Sequence, residues 1–345
     1  MLKSVGICNS YMTVGMYKIA VIGLGIAGLL LLAHLNASDV LVIERGAIGG
    51  ALATEYGHIV ANIPATTLLQ SLRRIPGVKD LPLPYLESYK PDACPVLSDL
   101  VKQIKALVLP ILNAATYRST EVKQVQQIEG GWRITCADGM WEAQKVVLCT
   151  GASPVTMDLP IPHIPLSTAL SPALSSLVDG STKVVVFGTS HSGTLVLKAL
   201  KAQGVKYVTA VHKGVKPFRF ARDGDTEGIK QESAVIADAI LANTWEPAPT
   251  LVSTDDVGGL HRALRTADVV IYSMGFRTHL SFPLLDLRGD PISTGAVASG
   301  RIPTLFGFGI GFPSKYTAPN GNQYPDVGVA GFLDAITAAL PALTS

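Results

Sequence analysis

The sequence is short of charged residues and of cysteines, and each shortage excludes a class of protein. Only 16% of the 345 residues are charged, whereas 48% are apolar, which is an apolar but globular composition. The formal net charge of +2 gives no reason to expect a nucleic acid or an acidic partner. A chain of this length predicts two domains or one large one.

The four cysteines are Cys8, Cys94, Cys136 and Cys149. They form neither a C-x-x-C pair nor a cluster with metal-ligand spacing. No metal site is therefore expected. Free thiols in a reducing compartment, the cytoplasm, are the simplest interpretation.

Neither a leader nor a membrane span is predicted. Residues 1–16 contain no clear hydrophobic segment and no small-residue cleavage site, so we expect a loose N-terminal extension. Residues 19–35 are apolar enough to imitate a membrane helix. That run holds three spaced glycines and His34, and it is shorter than the about 20 residues that a span requires.

The first chemical signal is a glycine turn between an apolar strand and a helix. Gly23, Gly25 and Gly28 form the G-x-G-x-x-G pattern of a dinucleotide-binding βαβ unit. Gly23 would allow the tight turn, Gly25 the approach of a pyrophosphate, and Gly28 the close packing of helix on strand. Alone, the pattern also fits a glycine-rich turn in an α/β core.

The strand that follows supports the dinucleotide interpretation. Residues 40–43 are rich in β-branched side chains and lead to Glu44. An acid at this strand end accepts the ribose hydroxyls of a dinucleotide, so we favour that role over a solvated surface charge. Ile26 and Ala27, whose N–H groups open the helix, and Arg45, beside the acid, complete the predicted contacts.

Two further segments are candidates for the same ligand. Gly49 and Gly50 form a loop that either turns back to the cofactor or is a flexible surface turn. Asn62 follows a strand-like segment, where polar residues often face a ligand. It is equally typical of the turn before a proline-containing loop.

An antiparallel excursion comes next. Three strands are predicted between residues 120 and 148, joined by the hairpin signals Gly-Gly and Asp-Gly. The last strand is closed by Thr150 and Gly151, where glycine permits a close backbone approach to the cofactor. Val122, on the first of these strands, is assigned to the same site.

A second strand, turn and helix repeats the arrangement of the first. Gly188, Ser190 and Gly193 form G-x-S-x-x-G, and His191 and Ser192 open the helix. Ser190 replaces the middle glycine, so the phosphate would approach less closely. An internal duplication of this kind predicts two nucleotide sites.

The strand after the second turn ends in His212 and Lys213 rather than in an acid. A positive group here suits the 2′-phosphate of NADPH better than the free ribose of NADH, and Arg219 and Arg222 follow in the same loop. The alternative is an ordinary basic surface loop, with NADH as the cofactor.

Gly275 closes a further apolar strand and matches the end at Thr150 and Gly151. In the tail, Gly309 and Ile310 lie in a glycine turn after a strand, and residues 326–340 predict a final helix.

The remaining segments predict a surface loop and two helices. Residues 76–95 are proline-rich and without periodicity, which favours a loop. Residues 99–109 predict a helix that stops at Pro110, and residues 228–242 predict another.

Taken together, these motifs resemble the pyridine nucleotide-disulfide oxidoreductase superfamily, flavoproteins with two dinucleotide-binding domains. The resemblance covers most of the chain. It rests on four matches: Gly23/Gly25/Gly28 with Glu44, the Thr150-Gly151 strand end, Gly188/Ser190/Gly193, and the strand closed by Gly275. It implies FAD at the first turn and NAD(P)H at the second, with the tail returning to the flavin.

Within the superfamily, the flavin-containing-monooxygenase-like branch is the nearer match. Its members have Gly-Gly after the ribose acid, an Asn beside the flavin ring, for which Asn62 is the candidate, and G-x-S-x-x-G at the second site. The chain departs from the thioredoxin-reductase branch because it lacks C-x-x-C. It also has Gly309-Ile310-Gly311 where many relatives have Gly-Asp.

The expected fold class is therefore α/β with two Rossmann-like domains and an antiparallel β excursion. The expected FAD-binding domain comprises residues 17–151 and 279–345, and the inserted NAD(P)H-binding domain comprises residues 152–278.

The expected activity is an FAD- and NAD(P)H-dependent oxidoreductase, monooxygenase-like, acting on a small molecule. Asn62 is the one candidate catalytic residue, as a polar contact to the flavin. His58, His191 and His212 are isolated and form no acid–base pair. The alternatives are an oxygen-independent flavin reductase or dehydrogenase and a non-catalytic flavin-binding sensor. The sequence leaves the oligomeric state open.

Overall fold

The computed structural model describes residues 15–218, 230–317, 321 and 323–345. The strands are β1 (Tyr17–Ile22), β2 (Val40–Glu44), β3 (Thr116–Ser119), β4 (Val122–Ile128), β5 (Gly131–Cys136), β6 (Met140–Leu148), β7 (Ala152–Pro154), β8 (His163–Ile164), β9 (Lys183–Phe187), β10 (Tyr207–His212), β11 (Thr250–Ser253), β12 (Val269–Tyr272), β13 (Phe276–Thr278), β14 (Leu284–Leu285), β15 (Leu305–Gly307), β16 (Ser314–Thr317) and β17 (Gln323–Asp326).

The helices are α1 (Ile26–Leu32), α2 (Ala51–Thr54), α3 (Ala65–Leu72), α4 (Pro84–Glu87), α5 (Leu97–Leu112), α6 (Leu166–Ala169), α7 (His191–Ala202), α8 (Glu232–Leu241), α9 (Val257–Thr266), α10 (Thr294–Ala298) and α11 (Val329–Thr344), with 3-10 turns at Ala37–Asp39 and Pro172–Ser176.

The larger sheet contains the first glycine turn. Its strand order is β14-β4-β5-β6-β1-β2-β3, and β15 also pairs with β6. The strands β15, β6, β1, β2 and β3 are parallel, and α1 connects β1 to β2 as the sequence predicted. Their carboxyl ends meet at one edge of the sheet, which is where such sheets bind ligands.

The predicted antiparallel excursion is the meander β4, β5 and β6. Because β6 is long, its first half pairs with β5 and its second half with β1 and β15. The excursion therefore extends the parallel sheet rather than forming a separate layer. β14 then adds to β4 in parallel.

The second sheet has the order β11-β10-β9-β12-β8, and all of its pairs are parallel. Its strands lie in the chain between β6 and β14 of the larger sheet. The short antiparallel pair β7–β13 joins the two passages between the sheets. The predicted fold class, with one dinucleotide-binding fold inserted into the other, is confirmed. The domain boundaries given above remain a prediction.

The apolar run after the first turn is explained by burial. Leu29, Leu30, Leu31 and Leu32 are all at most 1% exposed, because α1 packs between the sheet and the helices α5 and α11. A helix that is apolar on every side is expected in such a position. No helix among the described residues is long and apolar enough to cross a membrane.

Three predicted segments differ from the structure. The helix predicted to stop at Pro110 continues to Leu112, which is buried; a proline this close to the end disturbs only the last turn. The predicted loop 76–95 contains α4, because Leu83 and Leu86 are fully buried and Pro84 can open a helix.

The third difference concerns the tail. The final helix begins at Val329 rather than at Asp326, because residues 323–326 pair with β16 as β17. β3 was also not predicted. The predicted helix over residues 228–242 is α8, which begins at Glu232, and its first two residues lie outside the described part of the chain.

Candidate functional site

One cavity of about 1210 Å³ runs along the carboxyl edge of the larger sheet. It exceeds the about 300–1,000 Å³ of ordinary small-molecule pockets. Its lining brings together most of the predicted site residues: Gly23, Gly25, Ile26, Ala27, Glu44, Arg45, Gly49, Gly50, Asn62, Val122, Thr150, Gly151, Ser190, His191, Gly309 and Ile310.

The first glycine turn is held against the neighbouring strand. Gly23 has φ +98°, and a Cβ there would lie 2.7 Å from the carbonyl carbon of Cys149 and overlap its oxygen. The Gly23 N–H donates to the Ile43 carbonyl at 2.8 Å. A Cβ on Gly28 would overlap the Gly23 carbonyl, so Gly28 does not line the cavity and instead allows α1 to pack closely.

Gly25 is different, because no contact within the protein requires a glycine at this position. Its φ of −67° suits any residue, and a Cβ would meet no protein atom within 4 Å. The position opens into the cavity at the N-terminus of α1, whose first turn carries no acidic residue. Free N–H groups at a helix start favour an anion. This open position therefore fits the pyrophosphate of a dinucleotide.

Gly49 and Gly50 turn back onto this cradle. The Gly49 N–H donates to the Leu24 carbonyl at 2.7 Å, and a Cβ on Gly50 would lie 3.2 Å from the Gly25 Cα. The loop therefore lies beside the first turn.

The Glu44 carboxylate lies beside the same turn. It accepts hydrogen bonds from the N–H groups of Leu24, at 2.5 Å, and Gly46, at 2.7 Å. Glu44 is only 9% exposed and also lines the cavity. Arg45 points outward to Ser281 at 3.2 Å and to Glu121 at 3.9 Å, both of which line the cavity too.

A buried polar atom without a partner lies opposite the turn. The Thr150 hydroxyl has no hydrogen-bond partner among the described residues, although the atom is buried. Such a group is expected to be satisfied by something outside the protein chain. A dinucleotide along this wall would supply that partner.

The tail completes this wall. The Phe308 N–H donates to the Leu148 carbonyl at 3.0 Å, and a Cβ on Gly309 would lie 2.7 Å from the Ala27 Cβ. Gly309 and Ile310 thus lie directly against the start of α1 and line the cavity.

Asn62 lies at the other end of the cavity. Its neighbours are fixed by the Val60–Val96 bridge and the Ala61 N–H, which donates to the Pro95 carbonyl at 2.8 Å. The start of α11 closes the space opposite, since a Cβ on Gly328 would lie 3.9 Å from the Ile63 Cδ1. Asn62 is half-buried and faces the cavity.

The second glycine turn repeats the geometry of the first. Gly188 has φ +96°, and a Cβ there would lie 2.8 Å from the carbonyl carbon of Ser273. A Cβ on Gly193 would overlap the Gly188 carbonyl. The Gly188 N–H donates to the Val211 carbonyl at 2.8 Å. The internal duplication is therefore present in the structure as well as in the sequence.

Ser190 and His191, at the start of α7, reach the large cavity, whereas Ser192 does not line it. The His191 Nδ1 lies 2.8 Å from the Ser233 hydroxyl. Burial lowers the pKa of His191 below its usual 6.5, and Glu232 nearby partly offsets this. His191 is therefore a neutral imidazole at neutral pH.

The two residues at the end of β10 that were predicted to bind the 2′-phosphate lie in different environments. His212 is 8% exposed, and its Nδ1 has no hydrogen-bond partner among the described residues. Lys213 is exposed. Neither lines the large cavity, and nor does Gly275. Arg219 and Arg222 lie outside the described residues.

Several lining residues were missed. Among them are Tyr56, Lys230, Tyr316, Tyr324 and Phe332. The Asn320-Gly321 dipeptide is a hairpin signal that could have placed both Tyr316 and Tyr324 on paired strands. No sequence signal pointed to Lys230, which lines the cavity only because of the fold.

Within the described ranges, no group of three or more His, Cys, Asp or Glu side chains could hold a metal ion.

A scan against protein-family models gave no match, and neither did a search of curated proteins. Among solved structures, the chain is similar to a flavin-containing monooxygenase from Stenotrophomonas maltophilia, with a TM-score of 0.66 at 20% identity over 95% of this chain and 98% of that one. It is also similar to bacillithiol disulfide reductase from Bacillus cereus, with a TM-score of 0.63 at 17% identity over 96% and 99%. For thioredoxin reductase from Lactococcus lactis, the TM-score is 0.51 at 15% identity over 95% and 99%.

At these identities the similarity concerns the fold. The order of strands, the inserted second sheet and the two glycine turns agree with the resemblance found in the sequence. The chain has the double dinucleotide-binding fold of the flavin-containing monooxygenases and disulfide reductases.

Proposed function

We propose that the chain is an oxidoreductase that binds FAD in the large cavity and draws reducing equivalents from NADPH. The observation that carries the proposal is that both glycine turns border one cavity, since Gly25 and Ser190 each line it. When bound, the flavin would accept a hydride from the nicotinamide and supply the redox chemistry, which leaves binding, orientation and exclusion of water to the protein.

The residues along the cavity suit the parts of FAD in order. Glu44 would accept the adenosine ribose hydroxyls while it braces the turn through Leu24. The bare Gly25 and the start of α1 would hold the pyrophosphate. Thr150 would gain a partner for its buried hydroxyl. Asn62 and the start of α11 remain for the polar edge of the flavin ring.

The second turn would hold the nicotinamide cofactor. Ser190 and His191 open α7 and line the cavity, as does Lys230. Lys213, exposed at the end of β10, is the candidate for the 2′-phosphate, because His212 is only 8% exposed. This division favours NADPH over NADH.

Within this class, we favour a monooxygenase-like reaction over thiol chemistry. Cys149 lines the cavity, but burial raises the pKa of its thiol to about 12. A thiol of this kind is a poor nucleophile at neutral pH. Among the described cysteines, no other lines the cavity. An oxygen-independent reductase of a small molecule is the second candidate.

The central test is the colour of the purified protein and its response to NADPH. The protein should carry FAD or take it up, and NADPH should bleach the flavin without oxygen. Oxygen consumption coupled to oxidation of an added substrate would support the monooxygenase-like reaction. Protein that takes up no FAD would overturn the proposal.

Two variants of Gly25 make this test specific. Aspartate and serine are both favourable N-caps, so Gly25→Asp and Gly25→Ser should fold. Only the aspartate variant would place a carboxylate where the pyrophosphate is proposed, so Gly25→Asp should weaken FAD binding by about 100-fold and Gly25→Ser by about 10-fold or less. Gly295→Ala on α10 is the control, because a Cβ there would make only an ordinary contact with the Ser293 Oγ at 3.8 Å.

The choice of nicotinamide is tested separately. Lys213→Ala should raise the KM for NADPH by about 10-fold and leave that for NADH unchanged. Lys216→Ala removes a neighbouring exposed lysine and serves as the matched control. Equal effects of the two substitutions would contradict the role of Lys213.

A further inference from the structure

The hairpin of β16 and β17 forms one side of the cavity. Its strands pair antiparallel, with Tyr316 opposite Tyr324 and Ser314 opposite Asp326. Along both strands half-buried residues alternate with exposed ones, and Tyr316, Tyr324 and Asp326 line the cavity. Residues that alternate in this way share one face of a sheet. The hairpin therefore presents a single aromatic face inward.

The two rings form a continuous apolar surface. Their centroids are 5.9 Å apart and their planes are inclined by 37°. Rings in such an arrangement leave faces and edges on which a third planar group can pack. β16 packs against α11, and Phe332 of α11 and Ile63 also line the cavity. A ligand beside the tyrosines would thus contact mainly apolar atoms.

The Asp326 carboxylate on this face already interacts with the start of α11. Asp326 accepts a hydrogen bond from the Gly328 N–H at 3.2 Å, and its carboxylate lies against Gly331 in the first turn of α11. A carboxylate at this position is balanced by the N-terminal end of the helix. A charged ligand would lose part of its hydration against the tyrosine rings, and the Asp326 carboxylate already faces the start of α11.

We propose that the aromatic face of the hairpin is the substrate wall and that it selects uncharged molecules with a flat, apolar surface, such as a fused aromatic ring. This substrate class rests on the proposed function, because a redox substrate must approach the bound cofactor. The recognition itself rests on Tyr316, Tyr324 and the engaged charge of Asp326.

The test uses four probes of one size and different character. They are 2-naphthol, its saturated analogue decahydro-2-naphthol, the anion 2-naphthoate and the cation 2-(aminomethyl)naphthalene. Each is titrated calorimetrically into the full-length, oxidised protein loaded with FAD. We expect 2-naphthol to bind about 10-fold more tightly than each of the others.

Variants of the hairpin locate the binding. Tyr316→Leu and Tyr324→Leu should each weaken 2-naphthol binding by about 5-fold, and Tyr316→Phe should restore it because the ring is retained. Lys315→Ala, on the outward face of β16, should change nothing.

Three results would overturn the proposal. One is equal binding of 2-naphthol and its saturated analogue, and another is preferred binding of the cation. The third is release of FAD from the leucine variants with unchanged 2-naphthol affinity. That result would show that Tyr316 and Tyr324 contact the cofactor and not the substrate. Failure of the proposed function is distinguishable, because the protein would then take up no FAD, and the same titration of the FAD-free protein would still show whether the hairpin selects 2-naphthol.

Discussion

The Gly23 Cα lies directly against the carbonyl group of Cys149, so close that a Cβ would stand 2.7 Å from the carbonyl carbon. Gly188 and Ser273 repeat this relationship in the second sheet, at 2.8 Å. In each case a glycine turn after one strand is held by the end of the neighbouring strand. Two positions further along each turn, Gly25 and Ser190 line the cavity.

The first prediction follows from that contact. Gly23→Ala should destabilise the apoprotein by about 3 kcal/mol or more, because it adds both a positive-φ strain and an overlap with backbone. Gly188→Ala should have a similar cost. Urea unfolding measures both, with Gly295→Ala as the control. An effect of Gly23→Ala below about 1 kcal/mol, which is the size expected of an ordinary substitution, would contradict the close contact.

The second prediction concerns Glu44. Glu44→Gln should lower the free energy of unfolding of the apoprotein by about 2 kcal/mol, since a neutral amide accepts more weakly from the Leu24 and Gly46 N–H groups. It should also weaken FAD binding by about 10-fold, measured by titration of the apoprotein.

Glu142→Gln is the matched control for Glu44, because Glu142 pairs with Arg133 on the solvent side of the meander. A loss of stability without a loss of FAD affinity would show that Glu44 braces the turn and does not bind the ribose.

The parts predicted from the sequence are those in which local pattern and tertiary contact agree. The unit from β1 to Glu44 was predicted because a β-branched strand, a glycine turn and a buried helix each have a local signature. The second unit was predicted for the same reason. Its insertion between β6 and β14 followed from chain order together with the family resemblance.

The remaining parts depend on contacts between distant segments. The end of α5 passes Pro110 because Leu112 packs into a core that the local sequence does not show. The start of α11 was misplaced because β17 pairs with β16 rather than continuing the helix. Lys230 and the tyrosine pair reach the cavity only through the fold, so these parts of the lining were the least predictable.

The third prediction concerns thiol reactivity. Burial raises the pKa of Cys149 to about 12, and burial with the nearby Asp138 charge raises that of Cys136 to about 12. Both should react with iodoacetamide at pH 8 about 100-fold or more slowly in the native protein than in urea. Peptide mass spectrometry measures each cysteine separately. Rapid labelling of Cys149 in the native protein would contradict this prediction and would make Cys149 a candidate nucleophile in the cavity.

The last prediction concerns pH and His191. Burial holds the pKa of His191 below its usual 6.5, so the unfolded chain binds this proton more readily than the folded one. The stability that neutral His191 contributes is therefore full above pH 6.5 and is lost as the pH falls through the lower, folded pKa. The ion pair of Glu232 with Lys198 is nearby, so protonation would occur beside a charge that is already paired.

His191→Gln should keep a hydrogen bond to Ser233 while removing the titration. The free energy of unfolding should then fall less between pH 7 and pH 5 in this variant than in the wild type. Urea unfolding at several pH values measures the slopes. If His191→Gln and the wild type gave parallel curves, the buried imidazole would not be the group that titrates, and its place at the start of α7 would be structural alone.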